Sequence, residues 1–373
     1  MRIGIDIKCL RYNHSGIGRY LSSLLDSLQQ IDKVSEYFLF SPHDIQYSIT
    51  NTHFHLCPYY GRFAFQKNIP GILWQQITLP QLLEKHNIDI FWGPEQTLPL
   101  GKSCCKTVLT IHDFVYKRYP ETMQKTVRWI NNHIGEKSIK VAHIIAVNSE
   151  FTKTELLHFH PDIDKNKIEV VPCGISSTPL PLSPNQQKNG LLFVGNLEPR
   201  KNFGNLVKAL EILHQKGISL PLTVVGPKGW KNNSESTLLQ KSTISKNIQH
   251  VGFVSDEELK SLYINSAALV FPSLYEGFGI PVLESLNYGT PVLTTKGSVM
   301  EEIVQDCGMY FDARDPESIA HIIESFLSVQ QNFWQGKDDK RQAIIEKYQW
   351  KKSAEHLLKI FEHLGPSHHE VAV

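Results

Sequence analysis

Phe271-Pro272-Ser273-Leu274-Tyr275-Glu276-Gly277-Phe278-Gly279-Ile280-Pro281-Val282-Leu283-Glu284-Ser285 closes a buried strand at Pro272, crosses a glycine-bearing loop and enters a helix. Pro281 falls near the first helical turn, where proline is tolerated because its missing N–H would have no partner there. Strand, loop and helix in this order form half of a βαβ unit. Working outward, the same alternation covers almost the whole chain. Strands are expected at 2–7, 37–40, 53–57, 88–92, 107–112, 144–148 and 168–172, then at 190–194, 222–226, 248–251, 268–272, 291–294 and 309–311. They are rich in Ile, Val, Leu and Phe without clean polar alternation, as in strands covered on both faces. Between them, Leu21, Leu24, Leu25 and Leu28 repeat at helical spacing. The fold class is therefore α/β, with parallel doubly wound sheets.

A chain of 373 residues exceeds the size at which one core usually splits. The Ser- and Pro-rich stretch 175–189 lacks periodicity and reads as a linker. The expected organisation is a Rossmann-like domain over 1–174, the linker, a second Rossmann-like domain over 190–349, and a C-terminal helix, 350–365, placed to pack back on the first domain. The tail after Gly365 is expected to be disordered. Hydrophobic residues are 41% and charged residues 20%, an ordinary globular balance. The formal charge is +1, which excludes a globally basic nucleic-acid binder. No apolar run reaches the ~18–20 residues of a membrane span. Lys8 and Arg11 interrupt the N-terminus, so it reads as a first strand rather than a secretory signal. The six cysteines are scattered without a CxxC pair, as suits free thiols in a cytoplasmic protein. His53 and His55 share a strand face, but no third ligand accompanies them.

Four constellations carry chemistry. Gly16-Ile17-Gly18-Arg19-Tyr20 leads into the first helix, where glycines allow close approach and a helix N-terminus favours an anion. A dinucleotide fingerprint would need a third glycine where Leu21 stands. His112-Asp113 ends a strand, and ligands of open α/β sheets lie beyond the carboxyl ends of strands. A histidine there can donate a hydrogen bond to a hydroxyl or phosphate; it can equally be a strand-end residue capped by its neighbour. Gly195-Asn196-Leu197-Glu198-Pro199-Arg200-Lys201-Asn202 places two cations at a helix N-terminus. Positive charge there opposes the macrodipole unless an anion is bound, so the segment reads as a diphosphate seat more readily than as a solvated basic turn, the alternative reading. In the opening stretch, Glu276 lies in the loop and Glu284 in the helix. Carboxylates there suit sugar and ribose hydroxyls; an acid–nucleophile pair for hydrolysis is the competing reading.

At Glu276 and Glu284, with GFGIPVL between them, the chain resembles glycosyltransferase family 4, retaining nucleotide-sugar enzymes of the GT-B fold. The resemblance extends in order through GIGRY, IHD, VNSEFTKTEL, FVGNLEPRKN, VVGPKGW and HVGFVSDEEL. It is most similar to bacterial mannosyltransferase-like members. The resemblance implies an acceptor side in the first domain and a donor side in the second. It implies that Arg200 and Lys201 hold the donor diphosphate, Glu284 the ribose and Glu276 the transferred sugar. The N–H groups of Phe278, Gly279 and Ile280 would touch sugar and phosphate. His112 would reach the donor sugar, and Gly16 and Gly18 would leave room for phosphates. Many relatives have Arg where this chain has Asn196, which shifts the phosphate load to Arg200 and Lys201. Asp256 matches a position that accepts from guanine in some relatives, although Ser255 and Glu258 also spell a capping box.

The resemblance implies transfer of a hexose, mannose from GDP-mannose or a sugar from a UDP donor, to a saccharide or lipid-linked acceptor. Such a reaction serves cell-surface polysaccharide or lipopolysaccharide synthesis. No cofactor and no metal are expected, because Asp162-Ile163-Asp164 matches DxD only in a polar loop without nucleotide context. Lys201→Ala and Glu276→Ala are expected to lower turnover by orders of magnitude with the fold intact. Tyr59–Leu83, with Lys117, Arg118, Lys125 and Arg128, could dock on anionic lipid at the inner face of the cytoplasmic membrane, or could be a core helix with solvated charges. The competing functions are a nucleotide-sugar epimerase or phosphorylase of the same fold, and a catalytically silent nucleotide-sugar-binding subunit.

Overall fold

The computed structural model describes residues 1–12, 15–58, 71–101, 104–176, 178–182, 188–227 and 242–365. The expectation for the tail after Gly365, the Lys228-Gly229-Trp230 part of GPKGW and residues 59–70 of the expected lipid-docking stretch lie outside them. The chain divides into two units. The first comprises Met1–Tyr116, Met123–Ser176 and Gln349–Val373; the second comprises Lys117–Thr122 and Ser177–Tyr348.

The first unit holds β1 (Arg2–Asp6), β2 (Glu36–Ser41), β3 (Phe54–Pro58), β4 (Ile90–Gly93), β5 (Lys106–Ile111), β6 (Ile144–Val147) and β7 (Ile168–Val170). The second holds β8 (Leu191–Val194), β9 (Leu222–Val225), β10 (Ile248–Gly252), β11 (Ala268–Phe271), β12 (Val292–Thr295) and β13 (Gly308–Phe311). A strand forms at each expected position. The sheets run β3-β2-β1-β4-β5-β6-β7 and β10-β9-β8-β11-β12-β13. Every pairing among them is parallel. In each sheet the strand order reverses beside the first strand, between β1 and β4 and between β8 and β11. Crevices open outside the carboxyl ends at such switch points.

Helices of eight residues or more among the described residues are α1 (Gly16–Ile31), α2 (Gly71–Lys85), α3 (Glu150–Phe159), α4 (Phe203–Gln215), α5 (Asp256–Asn265), α6 (Ile280–Asn287), α7 (Pro316–Val329), α8 (Asp338–Lys347) and α9 (Trp350–Leu364). In α1, Leu21, Leu24, Leu25 and Leu28 are fully buried, and Ser15 caps the helix by accepting from the Gly18 N–H at 3.0 Å. In the second unit, Phe193 of β8, Leu206 and Leu210 of α4, and Ile319, Ile323 and Phe326 of α7 form the core under the sheet. α9 completes the first unit. Ile175 bridges to Gln349, and the Trp92 and Phe361 rings lie 6.1 Å apart.

Two boundaries differ from the expectation. The described part of the stretch read as a linker is packed against the second unit. The Leu180 N–H donates to the Asn287 carbonyl at 3.1 Å, and Arg341 Nη2 donates to the Leu180 carbonyl at 3.1 Å. Lys188 Nζ donates to the Gly289 carbonyl at 3.1 Å. An extended strap held by backbone carbonyls has no periodicity, so composition alone made it look unattached. Lys117–Thr122 also joins the second unit, where the Tyr119 and Tyr275 rings lie 5.9 Å apart. No helix among the described residues is long and apolar enough to cross a membrane.

Candidate active site

The second unit gathers several of the expected site residues at its β8/β11 switch point. After β8, Pro199–Lys201 makes one tight turn that ends at Asn202, whose φ of 57° is left-handed. Asn202 Nδ2 donates to the carbonyls of Pro272 at 3.1 Å and Ala313 at 2.6 Å. That anchor turns Arg200 and Lys201 onto the loop following β11. There Arg200 Nη1 lies 2.6 Å from Glu276 Oε2, and Lys201 Nζ lies 2.6 Å from Glu276 Oε1. Arg200 Nη1 also donates to the Tyr275 carbonyl at 2.9 Å. Two cations thus share one carboxylate, and all three side chains are largely buried.

Burial alone would raise the Glu276 pKa, but the charges of Arg200 and Lys201 outweigh it and bring it down to about 2. Burial lowers the Lys201 pKa, and the carboxylate of Glu276 only partly restores it. A desolvated lysine and an arginine fork at a strand's carboxyl end are suited to a diphosphate. Close approach is built into the backbone beside them. Gly226 has φ 129°, and a Cβ there would lie 2.3 Å from the Gly195 carbonyl oxygen. Gly279, with φ 157°, caps α6, and a Cβ there would lie 2.7 Å from Met300 Cε. Phe278, Gly279 and Ile280 therefore sit at the N-terminus of an eight-residue helix, whose partial positive charge favours an anion.

Glu284 lies on the same helix, buried, with Oε2 accepting from the Tyr263 hydroxyl at 3.0 Å. Tyr263 stacks on Tyr288 at 5.6 Å. Sequence reasoning missed Tyr263; its signal was the single aromatic of helix α5. It also missed Tyr119, whose hydroxyl donates to the Leu274 carbonyl at 3.4 Å and accepts from Arg314 Nη2 at 3.3 Å. Asp256 stands exposed at the first position of α5. The capping box beside it forms: Ser255 Oγ accepts from the Glu258 N–H at 3.3 Å, and Glu258 Oε2 accepts from the Ser255 N–H at 2.8 Å. Asn196 Nδ2 donates to Glu198 Oε1 at 3.2 Å, and Glu198 Oε2 lies 3.7 Å from Arg200.

The first unit holds Gly16, Gly18 and His112. Gly16 is exposed, and among the described residues nothing lies within 4 Å of a Cβ built on it. The Gly18 N–H is already taken by Ser15. His112 is buried, and its Nε2 donates to the Pro94 carbonyl at 2.7 Å. Burial lowers its pKa, opposed in part by that hydrogen bond. With Nε2 donating to Pro94, a neutral ring presents Nδ1 as an acceptor.

The other candidates take structural parts. Asp164 of the DxD sequence accepts from the Asn166 N–H at 3.0 Å and caps a short turn. A cavity of about 620 Å³ in the first unit is lined by Asp162, Asp164, His160 and Glu136, and by none of the residues expected to bind donor. His53 Nδ1 pairs with Glu36 at 2.7 Å, and His55 pairs with the other oxygen of Glu36. No group of three or more metal-ligating side chains placed to hold an ion occurs among the described residues.

Comparison with known proteins gives the family. Residues 14–178 match the model described as Glycosyltransferase Family 4, and residues 181–347 match Glycosyl transferases group 1. O-antigen chain mannosyltransferase B of Escherichia coli is 29% identical over 350 residues, covering 87% of this chain and 90% of that protein. Sucrose-phosphate synthase from Thermosynechococcus elongatus superposes with a TM-score of 0.74 at 16% identity, over 98% of this chain and 99% of the other. Anabaena Alr3699/HepE in complex with UDP-glucose superposes with a TM-score of 0.72 at 14% identity, over 97% of this chain and 100% of the other. At these identities the two structures speak for the fold alone. The chain belongs to glycosyltransferase family 4 and is a glycosyltransferase of the GT-B fold.

Proposed function

We propose that the protein transfers mannose from GDP-mannose, with retention and without a metal, to a saccharide or lipid-linked saccharide in cell-surface polysaccharide synthesis. The observation that carries this reading is the pair Arg200 and Lys201 converging on Glu276 at the β8/β11 switch point. In this reading the diphosphate takes over the two cations, and Glu276 turns to hydroxyls of the sugar. As the bond from the anomeric carbon to the β-phosphate oxygen breaks, its electron pair goes to that oxygen, which Arg200, Lys201 and the α6 N-terminus stabilise. The acceptor oxygen forms the new bond on the same face, and its proton passes to the leaving phosphate. Charge stabilisation by two side-chain cations supports metal-independent transfer. Glu284 would hold the ribose, and Asp256 the guanine edge. The named activity of the Escherichia coli relative supports mannose. The HepE complex makes a UDP-sugar the alternative donor.

A thermal-shift screen of GDP-, UDP-, dTDP- and ADP-sugars tests the donor, since a ligand that binds the native state raises its melting temperature by mass action. GDP-mannose should give the largest shift; a larger one from a UDP-sugar would overturn the donor assignment. Turnover should persist in EDTA, and loss restored by magnesium or manganese would refute the metal-free step. The anomeric configuration of the product, read by NMR, decides retention. Conversion of the nucleotide sugar without an acceptor would favour an epimerase, and dependence on orthophosphate a phosphorylase. Binding without release of nucleotide from any donor would favour the silent subunit.

We extend the proposal to a cytoplasmic enzyme that touches the membrane face. The short helix Lys125–Ile130 has no buried residue; Trp129 is 56% exposed and Val127 41%, beside Lys125 and Arg128. An aromatic flanked by cations is suited to an anionic lipid interface. Lys117 and Arg118 belong to the second unit, so they are left out of this patch. Flotation with phosphatidylglycerol vesicles, lost in Trp129→Ser, is the expected result; equal flotation of the two proteins would refute it.

A further inference from the structure

The helix α6 carries Glu284 and spans only Ile280–Asn287. A helix of eight residues is marginal on its own, so what holds its ends decides where it stands. At its N-terminus, Gly279 brings no side chain to hold it. Its C-terminus is held by a buried cation. Arg341 of α8 is 1% exposed, and its Nη1 donates to the carbonyls of Leu286 at 2.9 Å and Asn287 at 3.4 Å. A positive charge there complements the macrodipole and adds donors for the last carbonyls of the helix.

The guanidinium is itself fixed on several sides. Its Nε donates to Asp338 Oδ1 at 2.7 Å, and its Nη2 donates to the Leu180 carbonyl at 3.1 Å. Its central carbon lies 5.7 Å from the centre of the Trp334 ring. Trp334 Nε1 in turn donates to the Gly289 carbonyl at 3.0 Å, just past α6. The Leu180 N–H closes the circuit by donating to the Asn287 carbonyl at 3.1 Å. One planar fork therefore joins three segments: the end of α6, α8 and the strap at Leu180. A lysine, a point charge on a flexible stem, does not reproduce that geometry.

Arg341 acts at a distance from the diphosphate seat. Eight residues at 1.5 Å each make α6 about 12 Å long, and the guanidinium sits at the end opposite Phe278, Gly279 and Ile280. Its influence on a donor therefore passes through the helix. Glu284 lies two and three residues before the carbonyls that Arg341 holds, within the same turn. A shift of that turn moves the Glu284 carboxylate, whose Oε2 accepts from Tyr263 at 3.0 Å. We infer that Arg341 is a positioning residue of the nucleotide-sugar site: by seating the C-terminus of α6 on α8 and the strap, it sets where Glu284 meets the ribose of the donor. The ribose contact rests on the transferase reading above.

The test uses the full chain and isothermal titration calorimetry, well below the melting temperature of each variant. The probes are GDP, or UDP if the donor screen selects it, and the matching 2′,3′-dideoxy nucleotide. The two share base and diphosphate and differ in the hydroxyls that Glu284 would accept from. The wild type should bind the ribose form at least about tenfold more tightly, as the loss of hydrogen bonds to a carboxylate gives. In Arg341→Lys that ratio should fall to about threefold or less. Asp338→Asn loosens the guanidinium without removing it; it should lower the ratio by less, and it serves if the lysine variant fails to fold. Ile323→Ala, in the core under the sheet, should destabilise the unit and keep the wild-type ratio, as Arg341 variants would if the residue were merely structural. An unchanged ratio in both Arg341→Lys and Asp338→Asn overturns the inference and leaves the donor reading standing. Equal binding of the two nucleotides by the wild type overturns it together with the ribose contact of Glu284. A wild type that binds neither nucleotide overturns the nucleotide-sugar reading and the inference with it.

Discussion

Glu276→Gln separates the two jobs assigned to this carboxylate. The difference between an ordinary glutamate, near 4.5, and about 2 corresponds to about 3 kcal/mol of stabilisation at neutral pH. Breaking a buried ion pair by removing one partner costs about 3–5 kcal/mol, in agreement. The variant should therefore melt about 6–12 °C lower, at roughly 2–4 °C per kcal/mol for a unit of this size. The motif alone implied that Glu276 could be removed with the fold intact; two largely buried cations left behind make that incomplete. GDP should then repair the variant more than it helps the wild type, because its diphosphate supplies the missing anion without displacing a carboxylate. Tenfold tighter GDP binding would add about 1.4 kcal/mol to the ligand-induced stabilisation, which is about 3–6 °C. Transfer should nevertheless fall by orders of magnitude. The sign of the pH dependence follows from the lowered pKa. The carboxylate's contribution is complete above about 4.5 and is lost as pH falls toward 2, so wild type and variant should converge in melting temperature over that window. Differential scanning calorimetry with and without GDP measures all of this. A variant that melts within about 2 °C of wild type, with no larger GDP shift, would refute the reasoning.

Gly226→Ala should destabilise the second unit by about 2 kcal/mol or more, because its Cβ would collide with the Gly195 carbonyl and φ is positive; an unchanged melting temperature would contradict this. Tyr263→Phe should cost about 1–3 kcal/mol by removing a hydrogen bond to a buried carboxylate, and should raise the donor KM more than it lowers kcat. An unaltered KM would separate Glu284 from donor binding. The lowered pKa of His112 makes its protonation cost stability as pH falls below about 6.5, the unfolded value, so a His112→Asn variant should lose less melting temperature than wild type between pH 7.5 and 5.5. Parallel curves would argue against a ring kept neutral by burial.

Strand positions were readable because covered parallel strands are continuous apolar runs, and β4, β6, β8, β11 and β12 are buried along their whole length. The start of α5 was readable because Ser255 caps it. Arg200, Lys201, Glu276 and Glu284 were legible as residue types, but their pairing was not. Lys201 and Glu276 are 75 positions apart, and the β8–β11 pairing together with the left-handed turn at Asn202 brings them together. Local spacing carries no trace of such a contact. The packing of the strap at Leu180 was hidden for a related reason: Leu180 is held through its backbone N–H and carbonyl, which composition does not distinguish.

The ion pairs at the second switch point also bear on how tightly a product can be held. In the transferase reading, Glu276 occupies the two cations whenever the diphosphate does not. Substrate binding then exchanges one charged partner for another instead of filling an empty positive site. This lowers affinity for every nucleotide, including the product, relative to a site with bare cations. It also keeps the loops after β8 and β11 in register between turnovers, since Asn202, Tyr275 and Leu274 stay tied across the crevice. A carboxylate that returns to Arg200 and Lys201 competes with departing GDP, whereas during bond cleavage it is engaged by sugar hydroxyls. On that reading, the interaction through which Glu276 stabilises the fold is the same one that limits how strongly a diphosphate can bind. Stability and product release would then be coupled through one residue, and Glu276→Gln should shift both in the direction that the charge dictates.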